Sequence, residues 1–356
     1  MDTRKVVNLG DSLLVPCVQE LANSQMDTIP PRYIRQDQDQ PIIQNEVSAE
    51  EVPVIDMQRL LSRESMDSEL TKLHYACKDW GFFQLVNHGV NSSLLEKIKK
   101  EVQDLFDLPM EEKKKLWQCP GEVEGFGQAF VVAEDQKLDW GDIFFMTTQP
   151  VEARKPHLYP KLPLPLRDTL DAYSSAMKNL GMAILAQMAK ALEVKTEEIT
   201  EMFEDGFQSM RMNYYPPCPQ PDKVIGLTPH SDASGITILL QVNEVEGLQI
   251  KKDGKWVSIK PLPNAFVINI GDSLEQIISN GIYRSIEHRA IVNLEKVRIS
   301  IATFYAPRMN AEIGPALSLI KKQSPALFKR IGVEEYFRSL FARELHSKSH
   351  LDTLRI

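Results

Sequence analysis

The sequence predicts a mainly β fold with flanking α-helices, in which a β-sandwich or jelly roll forms the core of the second half of the chain. Short β-rich runs separated by turn residues dominate residues 207–307. Apolar residues recur every three or four positions before this stretch and again after it, which is typical of amphipathic helices. The length of 356 residues allows one large domain or two modest ones.

The first half of the chain is predicted to hold two regions. Residues 1–50 are polar and interrupted by proline, which indicates an N-terminal extension with one short helix and a linker. Residues 51–205 mix short apolar runs with long helical patterns and are predicted to form an α/β region that covers the core. The predicted strands of this region are 53–57 and 82–86, and its predicted helices are 68–80, 94–106, 169–192 and 197–203.

The second half is predicted to hold the core at 206–307 and a helical segment at 308–356. Asp253-Gly254 is a hairpin signal between two short β-rich runs. Within the last segment, residues 333–341 are expected to form a helix packed on the core. The predicted core strands are 236–242, 248–251, 256–259, 265–270, 282–292 and 299–304.

The composition indicates which kinds of molecule the protein is expected to bind. Hydrophobic residues make up 43% and charged residues 25%, as in ordinary globular proteins, and 49 acidic against 41 basic residues give a net charge of −8. That sign gives no overall attraction to nucleic acid or to an anionic membrane. No apolar run approaches the roughly 18 residues that cross a bilayer, and the four cysteines form no C-x-x-C pair. We expect a monomeric cytoplasmic protein whose partner is a small molecule.

The pattern most indicative of chemistry is His230-Ser231-Asp232, followed 288 − 232 = 56 residues later by His288. In an extended strand residues i and i+2 point to the same face, so His230 and Asp232 can bind one ion together. Antiparallel pairing of a later strand would bring His288 opposite them. Two imidazoles and one carboxylate on one face leave open positions, which suits iron(II) that binds both O₂ and a second ligand. Zinc hydrolases use the same donor set, so the motif alone leaves the metal open.

A second pattern lies on the run that holds Arg298 and Ser300, again at i and i+2. A guanidinium beside a hydroxyl is a good clamp for a carboxylate, although pairing with an internal acidic residue is the structural alternative. Upstream, Asn213 precedes Tyr214-Tyr215-Pro216, and the Tyr215 hydroxyl can reach the same anion. The pattern therefore predicts a carboxylate site near the metal, with Arg298 and Ser300 as its main ligands.

These motifs together resemble the plant 2-oxoglutarate- and iron(II)-dependent dioxygenases. The resemblance rests on H-x-D…H, on R-x-S ten residues after the second histidine, on NYYPPC at 213–218 and on WGFFQLVNHGV at 80–90. Within the family, residues 124–128 and 135–140 are similar to the specialised-metabolism branch that contains senescence-related dioxygenases and morphinan O-demethylases. The resemblance runs from about residue 53 to residue 340.

The resemblance implies a double-stranded β-helix (jelly roll) core and an oxidoreductase that uses Fe(2+), 2-oxoglutarate and O₂, with ascorbate supporting activity. His230, Asp232 and His288 would be the catalytic metal ligands. Arg298 and Ser300 would bind the distal carboxylate of 2-oxoglutarate, with Tyr215 and Asn213 assisting. Hydroxylation or O-demethylation of the organic substrate would accompany the release of succinate and CO₂.

The substrate pocket is predicted to be aromatic, which suits a small flat metabolite such as an alkaloid, flavonoid or coumarin. No second inward arginine lies on the Arg298 strand, so a neutral or basic substrate is favoured over an acidic one. Two rival functions remain: a zinc- or manganese-dependent hydrolase, and a catalytically silent ligand-binding barrel. The predicted pocket residues are Phe126, Phe130, Phe144 and Phe304.

Overall fold

Two β-sheets packed face to face form the centre of the fold. The structure is a computed structural model and describes residues 12–24, 28–35, 51–128, 131, 133–322, 325–341 and 354–356. Its strands are β1 (Val54–Asp56), β2 (Phe82–Val86), β3 (Gly125–Gly127), β4 (Asp142–Gln149), β5 (Phe207–Tyr215), β6 (Leu227–His230), β7 (Ile236–Gln241), β8 (Leu248–Lys252), β9 (Lys255–Ser258), β10 (Phe266–Ile270), β11 (His288–Ala290), β12 (Arg298–Ala306), β13 (Glu312–Ile313) and β14 (Ile331–Gly332).

The larger sheet is built from both halves of the chain. Within the described ranges it has eight strands in the order β1-β2-β10-β7-β12-β5-β4-β3, and the smaller sheet has four in the order β6-β11-β8-β9. Leu239, Val267 and Ala302 of the larger sheet share one apolar cluster with Leu248 and Ile250 of the smaller sheet. The two sheets therefore enclose a common interior, and the predicted β fold with a jelly roll core is confirmed.

Helices cover the outer face of the larger sheet and the N-terminal side of the molecule. The longest, α6, contributes one apolar side to the main core, where Met177, Leu180 and Ile184 are buried. The helices are α1 (Val18–Asn23), α2 (Met57–Leu61), α3 (Met66–Tyr75), α4 (Ser92–Phe106), α5 (Met110–Lys114), α6 (Leu164–Ala191), α7 (Thr196–Phe203), α8 (Leu317–Lys322) and α9 (Val333–Phe341).

Alternation along β12 separates core residues from cavity residues. Ile299 and Ile301 are fully buried in the cluster between the larger sheet and the helices. Arg298, Ser300 and Phe304 point the other way, into a cavity between the two sheets. Because successive side chains of a strand face opposite sides, one nine-residue strand serves both the core and the cavity.

Two differences from the sequence-based prediction have local causes. Residues 282–292 were predicted as one strand, but only His288–Ala290 is extended and paired. Upstream, the backbone N–H of Arg284 donates to the Cys77 carbonyl and that of Ser285 donates to the Glu275 carboxylate. These hydrogen bonds replace strand pairing. The helix predicted at 68–80 ends at the expected residue, but its last five residues, Ala76–Trp80, form a π-helical turn. The turn stops at Gly81, whose φ of +63° glycine adopts without strain.

Strand β4 was not predicted from the sequence. It forms an antiparallel pair with β5 and carries β3 at the edge of the larger sheet. The sheet thus extends across the predicted boundary near residue 205, while the division of the chain into four regions stays a prediction. Among the described residues, no helix combines the length and the apolar character needed to span a membrane.

Candidate active site

Three side chains of the smaller sheet converge on one point. His230 ends β6 and His288 begins β11, and the antiparallel register places the two residues directly opposite each other. Asp232 follows β6 by two residues, and its Oδ1 lies 3.5 Å from His230 Nε2 and 3.8 Å from His288 Nε2. All three side chains are buried, and one donor atom from each lies within 4.8 Å of the others. The structure thus brings the predicted triad together.

Backbone carbonyls orient both imidazoles. His230 Nδ1 lies 2.8 Å from the Thr228 carbonyl oxygen, and His288 Nδ1 lies 3.2 Å from the Ile286 carbonyl oxygen. A carbonyl only accepts, so each Nδ1 carries a proton, and in the neutral ring the lone pair of each Nε2 faces Asp232. His230 Nε2 is buried and forms no hydrogen bond with any described residue. This is the tautomer that a metal ligand needs.

Asp232 is held as a carboxylate. Its Oδ2 accepts hydrogen bonds from Thr237 Oγ1 at 2.6 Å and from Asn269 Nδ2 at 2.8 Å, which leaves Oδ1 facing the imidazoles. Burial by itself raises the pKa of Asp232, but the adjacent His288 and His230 and the Thr237 hydroxyl outweigh it and hold the pKa far below its ordinary value. Burial and the nearby His230 lower the pKa of His288 to about 4. A carboxylate and a neutral imidazole are the protonation states that bind a divalent metal.

The donor set fits iron(II). Two imidazoles and one carboxylate on one side of a cavity are the donor set of the facial triad in non-haem iron(II) oxygenases, and these three residues would hold the metal beside the cavity. A zinc site with the same donors is chemically possible. The surrounding residues decide between these possibilities.

The predicted carboxylate clamp lines the same cavity. Arg298 Nη2 donates to Gln241 Oε1 at 2.8 Å, and the guanidinium carbon lies 5.3 Å from the centroid of the Tyr215 ring. Asn213 Nδ2 donates to Ser300 Oγ at 3.2 Å. Arg298 is 2% exposed, its Nε forms no hydrogen bond, and among the described residues no acidic side chain forms an ion pair with it. A buried guanidinium with neutral neighbours is arranged to receive an anion.

A second buried arginine enters the cavity, and the sequence analysis did not anticipate it. Arg211 on β5 pairs in register with Ala302 and Phe145, and its guanidinium carbon lies 5.4 Å from the centroid of the Phe304 ring. Its Nε is buried without a hydrogen bond, and in the described part of the chain it has no acidic partner. The signal was present, because Arg211 is two residues before Asn213 and so shares its strand face. The Arg298 strand itself carries no second inward arginine, but the neighbouring strand β5 supplies one, which removes the argument against an acidic substrate.

A chain of hydrogen bonds connects the N-terminal extension to His230. Arg35 Nη2 donates to Asp139 Oδ1 at 2.9 Å and to Thr228 Oγ1 at 2.9 Å. The Asp139 carboxylate also accepts from the Thr228 hydroxyl at 2.6 Å and from the Thr228 N–H at 3.1 Å. Thr228 in turn presents its carbonyl to His230. The extension therefore takes part in fixing the loop that orients the first imidazole.

The predicted aromatic pocket is only partly correct. Phe304 faces the cavity, but Phe144 is fully buried in the core on the other side of the sheet, and Phe126 packs against it at 4.9 Å between ring centroids. The residue of β4 that shares a face with the cavity-facing Arg211 is Phe145 and not Phe144, so the prediction was off by one residue along this strand. Phe130 lies outside the described residues.

Phe304 contacts an apolar cluster at the end of the cavity. Ile143 and Phe145 belong to this cluster, and both lie on the face of β4 that corresponds to Asn213 and Arg211 of β5. Because side chains alternate along a strand, Ile143 and Phe145 take the place on this face that the sequence analysis assigned to Phe126 and Phe144. The sequence analysis did not anticipate that Phe304 packs against this cluster.

Comparison with known proteins identifies the family. A family profile described as the 2OG-Fe(II) oxygenase superfamily matches residues 206–307, and one described as the non-haem dioxygenase in morphine synthesis N-terminal region matches residues 52–163. "Protein SRG1" of Arabidopsis thaliana is 62% identical over 349 residues, covering 97% of this chain and 97% of that protein. The chain belongs to the 2-oxoglutarate- and iron(II)-dependent oxygenase superfamily.

Two further relatives agree with this membership. "Codeine O-demethylase" of Papaver somniferum is 52% identical over 364 residues, with 100% of both chains covered. The solved structure of JOX2 in complex with 2OG, Fe and JA superposes with a TM-score of 0.85 at 33% identity, covering 96% of this chain and 98% of that one. The resemblance to the branch with senescence-related dioxygenases and morphinan O-demethylases is thereby confirmed. Family membership implies Fe(2+) and 2-oxoglutarate for an oxidoreductase of small plant metabolites.

Proposed function

We propose that this protein oxidises a small aromatic plant metabolite by 2-oxoglutarate-dependent hydroxylation or O-demethylation. The observation that carries the proposal is the placement of two guanidiniums, Arg298 and Arg211, in the cavity that also contains Asp232 and His288, with no acidic partner for either among the described residues. A hydrolase with the same metal ligands does not need a basic residue that binds an acidic cosubstrate. A catalytically silent barrel needs neither arginine. The triad and the clamp together favour the dioxygenase over both rivals.

The assigned roles follow from position. His230, Asp232 and His288 would hold iron(II), which when bound supplies the redox chemistry that couples decarboxylation of 2-oxoglutarate to oxidation of a C–H bond. Arg298 and Ser300 would bind the distal carboxylate of 2-oxoglutarate, and Asn213 holds the Ser300 hydroxyl in place. Tyr215 stacks beside Arg298 and supports its orientation.

The substrate end of the cavity lies beyond the clamp. Arg211 pairs with Ala302, four residues along β12 from Arg298, which is roughly 13 Å at about 3.3 Å per residue. The two arginines therefore enter the cavity from different levels of the sheet. Phe304, two residues further along, supplies an aromatic wall beside Arg211. We therefore assign to the substrate an aromatic body against Phe304 and one acceptor group, a carboxylate, phenolate or carbonyl oxygen, directed at Arg211.

The cationic residues of the covering region do not compete for this role. Arg154 Nη1 forms an ion pair with Asp171 at 2.7 Å, and Lys155 Nζ forms one with Glu122 at 3.0 Å. Both are satisfied by acidic partners. Arg211 is thus the cation best placed to select the substrate.

A succinate-release screen with product mass spectrometry tests the function. Phenolics and alkaloids are offered as matched pairs, in which the acceptor group is either free or masked by methylation, together with iron(II) and 2-oxoglutarate. We expect turnover of at least one aromatic compound and a preference for the member with a free acceptor. Succinate release that never depends on an aromatic compound would reject the proposal.

Arg211→Met separates the substrate assignment from the cosubstrate assignment. The substitution keeps an apolar chain of similar length and removes the charge. We expect the KM for the unmasked substrate to rise about tenfold, as for the loss of one charge-assisted hydrogen bond, while the KM for 2-oxoglutarate is unchanged. Retained iron content shows that the metal site is intact. An equal effect on masked and unmasked substrates would assign Arg211 a structural role.

We further propose that the protein is a monomer located in the cytoplasm. Cys17, Cys77, Cys119 and Cys218 are all free thiols, which suits a reducing compartment. The net charge of −8 supports a protein without a nucleic acid or membrane partner. Light scattering after size exclusion tests the first point, and imaging of a fluorescent fusion tests the second.

A further inference from the structure

A second group of metal-binding side chains lies outside the cavity, on the surface of the covering region. It consists of Cys119, Glu122 and His157, and one donor atom from each lies within 4.8 Å of the other two. Cys119 Sγ is 3.7 Å from His157 Nε2, and His157 Nε2 is 3.2 Å from Glu122 Oε2. The group belongs to two separate segments, 119–122 and the turn at 155–158. The chemistry of the cavity makes no use of it.

The distances match those of a tetrahedral zinc site. With Zn–S near 2.3 Å and Zn–N and Zn–O near 2.1 Å, a tetrahedron has an S···N edge of roughly 3.6 Å and an N···O edge of roughly 3.4 Å. The measured edges are 3.7 Å for Cys119 to His157 and 3.2 Å for His157 to Glu122. Cys119 is exposed on a loop, so its side chain is free to complete the third edge.

Hydrogen bonding alone does not satisfy the group. Glu122 Oε2 is a buried atom that forms no hydrogen bond with a described residue, whereas Oε1 accepts from Lys155 Nζ at 3.0 Å. His157 Nε2 faces both Glu122 Oε2 and Cys119 Sγ, and a single ring N–H can donate to only one of them. One cation shared by the three donors satisfies all of them, and Lys155 then orients the carboxylate from its other oxygen.

We propose that Cys119, Glu122 and His157 form a zinc site that is separate from the iron site. A thiolate, an imidazole and a carboxylate are all zinc ligands, water would fill the fourth position, and the thiolate disfavours magnesium, calcium and manganese. Zinc binding releases the thiol proton of Cys119 to solvent. The site is distinct from the cavity, since no described residue that lines the cavity belongs to the group.

Its position gives the site a role in holding the covering region. Val123 follows Glu122 directly and belongs to the apolar cluster that Phe304 contacts. Glu124, next in sequence, accepts hydrogen bonds from Thr147 N and Oγ1 on β4. A metal that joins residues 119–122 to His157 therefore fixes the loop that enters the edge of the sheet beside the substrate end of the cavity.

Zinc stoichiometry tests the site in the full chain. Metal-free wild-type protein is titrated with Zn²⁺ alone against a chromogenic zinc indicator, and the iron site is expected to take one ion as well. We expect two zinc ions per chain in the wild type, one in Cys119→Ser and one in Asp232→Ala. The double variant should bind none tightly. Glu122→Gln should weaken the second site at least tenfold, whereas the exposed neighbour Glu152→Gln serves as a matched control and should not.

Cobalt substitution gives a readout that only thiolate ligation produces. Co²⁺ bound through Cys119 should show a sulfur-to-cobalt charge-transfer band in Asp232→Ala, and the band should be absent when Cys119→Ser is added. Zinc should also raise the Tm of iron-loaded wild type by a few degrees and leave the Tm of iron-loaded Cys119→Ser unchanged. One zinc ion per wild-type chain, or a second ion that survives Cys119→Ser and Glu122→Gln, would overturn the proposal.

Discussion

His288 lies directly across the β6–β11 pairing from His230, with ring centroids 4.3 Å apart. Two residues 58 positions apart in sequence (288 − 230) thus supply two of the three side chains of the candidate metal site through strand register. A shift of the register by one residue would turn one imidazole to the opposite face of the smaller sheet. The geometry of the candidate metal site therefore depends on the register of the β6–β11 pairing.

Removal of the carboxylate should abolish iron binding. In Asp232→Ala two neutral imidazoles remain, which are too few ligands to retain iron(II) through desalting. We expect iron content near zero and no 2-oxoglutarate turnover, while circular dichroism stays that of the wild type. The exposed Asp222→Ala should retain iron fully. Wild-type iron content in Asp232→Ala would contradict the assignment.

Replacement of the clamp arginine should affect the cosubstrate selectively. Arg298→Lys keeps the charge and loses the planar fork that contacts two carboxylate oxygens. The KM for 2-oxoglutarate should rise about tenfold or more, with a much smaller change in the KM for the organic substrate. Steady-state kinetics with each compound varied in turn measures both values, and the exposed Arg308→Lys provides the control. An unchanged cosubstrate KM would remove Arg298 from the clamp.

The hydrogen bonds behind His230 should contribute to metal affinity. Asp139→Asn weakens the hydrogen bonds that the carboxylate accepts from the hydroxyl and the N–H of Thr228. The carbonyl of Thr228 orients the imidazole of His230. Loss of such outer contacts typically costs about 10-fold to 100-fold in metal affinity. Iron titration followed by the absorption of the 2-oxoglutarate chelate measures it, with the exposed Asp135→Asn as control. Equal affinities in the two variants would show that the connection has no effect.

Two phenylalanines that the sequence treats alike should behave differently. Phe144 is fully buried in the main core, so Phe144→Ala should reduce the free energy of unfolding by about 3–5 kcal/mol. Phe304 is half-buried and faces the cavity, so Phe304→Ala should change mainly the KM for the organic substrate. Denaturant unfolding and kinetics on both variants separate the two effects. Similar losses of stability would place both rings in the core.

The sequence was sufficient for the features that depend on short spacing. His230 with Asp232, and Arg298 with Ser300, stand two residues apart, and alternation alone predicts that each pair shares a face. The fold class followed from the same periodicity. Strand β4 was missed because its buried run alternates weakly and carries no turn signal on its N-terminal side other than Gly141.

Features that depend on register or on distant contacts were beyond the sequence. Phe144 and Phe145 are both aromatic, so composition cannot say which of them faces Arg211 across β5. The contact of Arg35 with Asp139 joins residues 104 positions apart, and nothing local marks it. Arg211 is different, because the alternation that placed Asn213 in the cavity also applied to it.

The interleaving of strands in the larger sheet has a consequence for biosynthesis. β2 lies between β1 and β10, and β5 lies between β4 and β12, so these strands obtain partners that are synthesised more than 80 residues later. A nascent chain that ends before Ala306 leaves β5 and β7 without their shared neighbour β12. The edges of β5 and β7 therefore stay unpaired until β12 has been synthesised. The larger sheet can close only after residue 306 has left the ribosome, so a fragment that ends before β12 exposes strand edges that can pair with other chains.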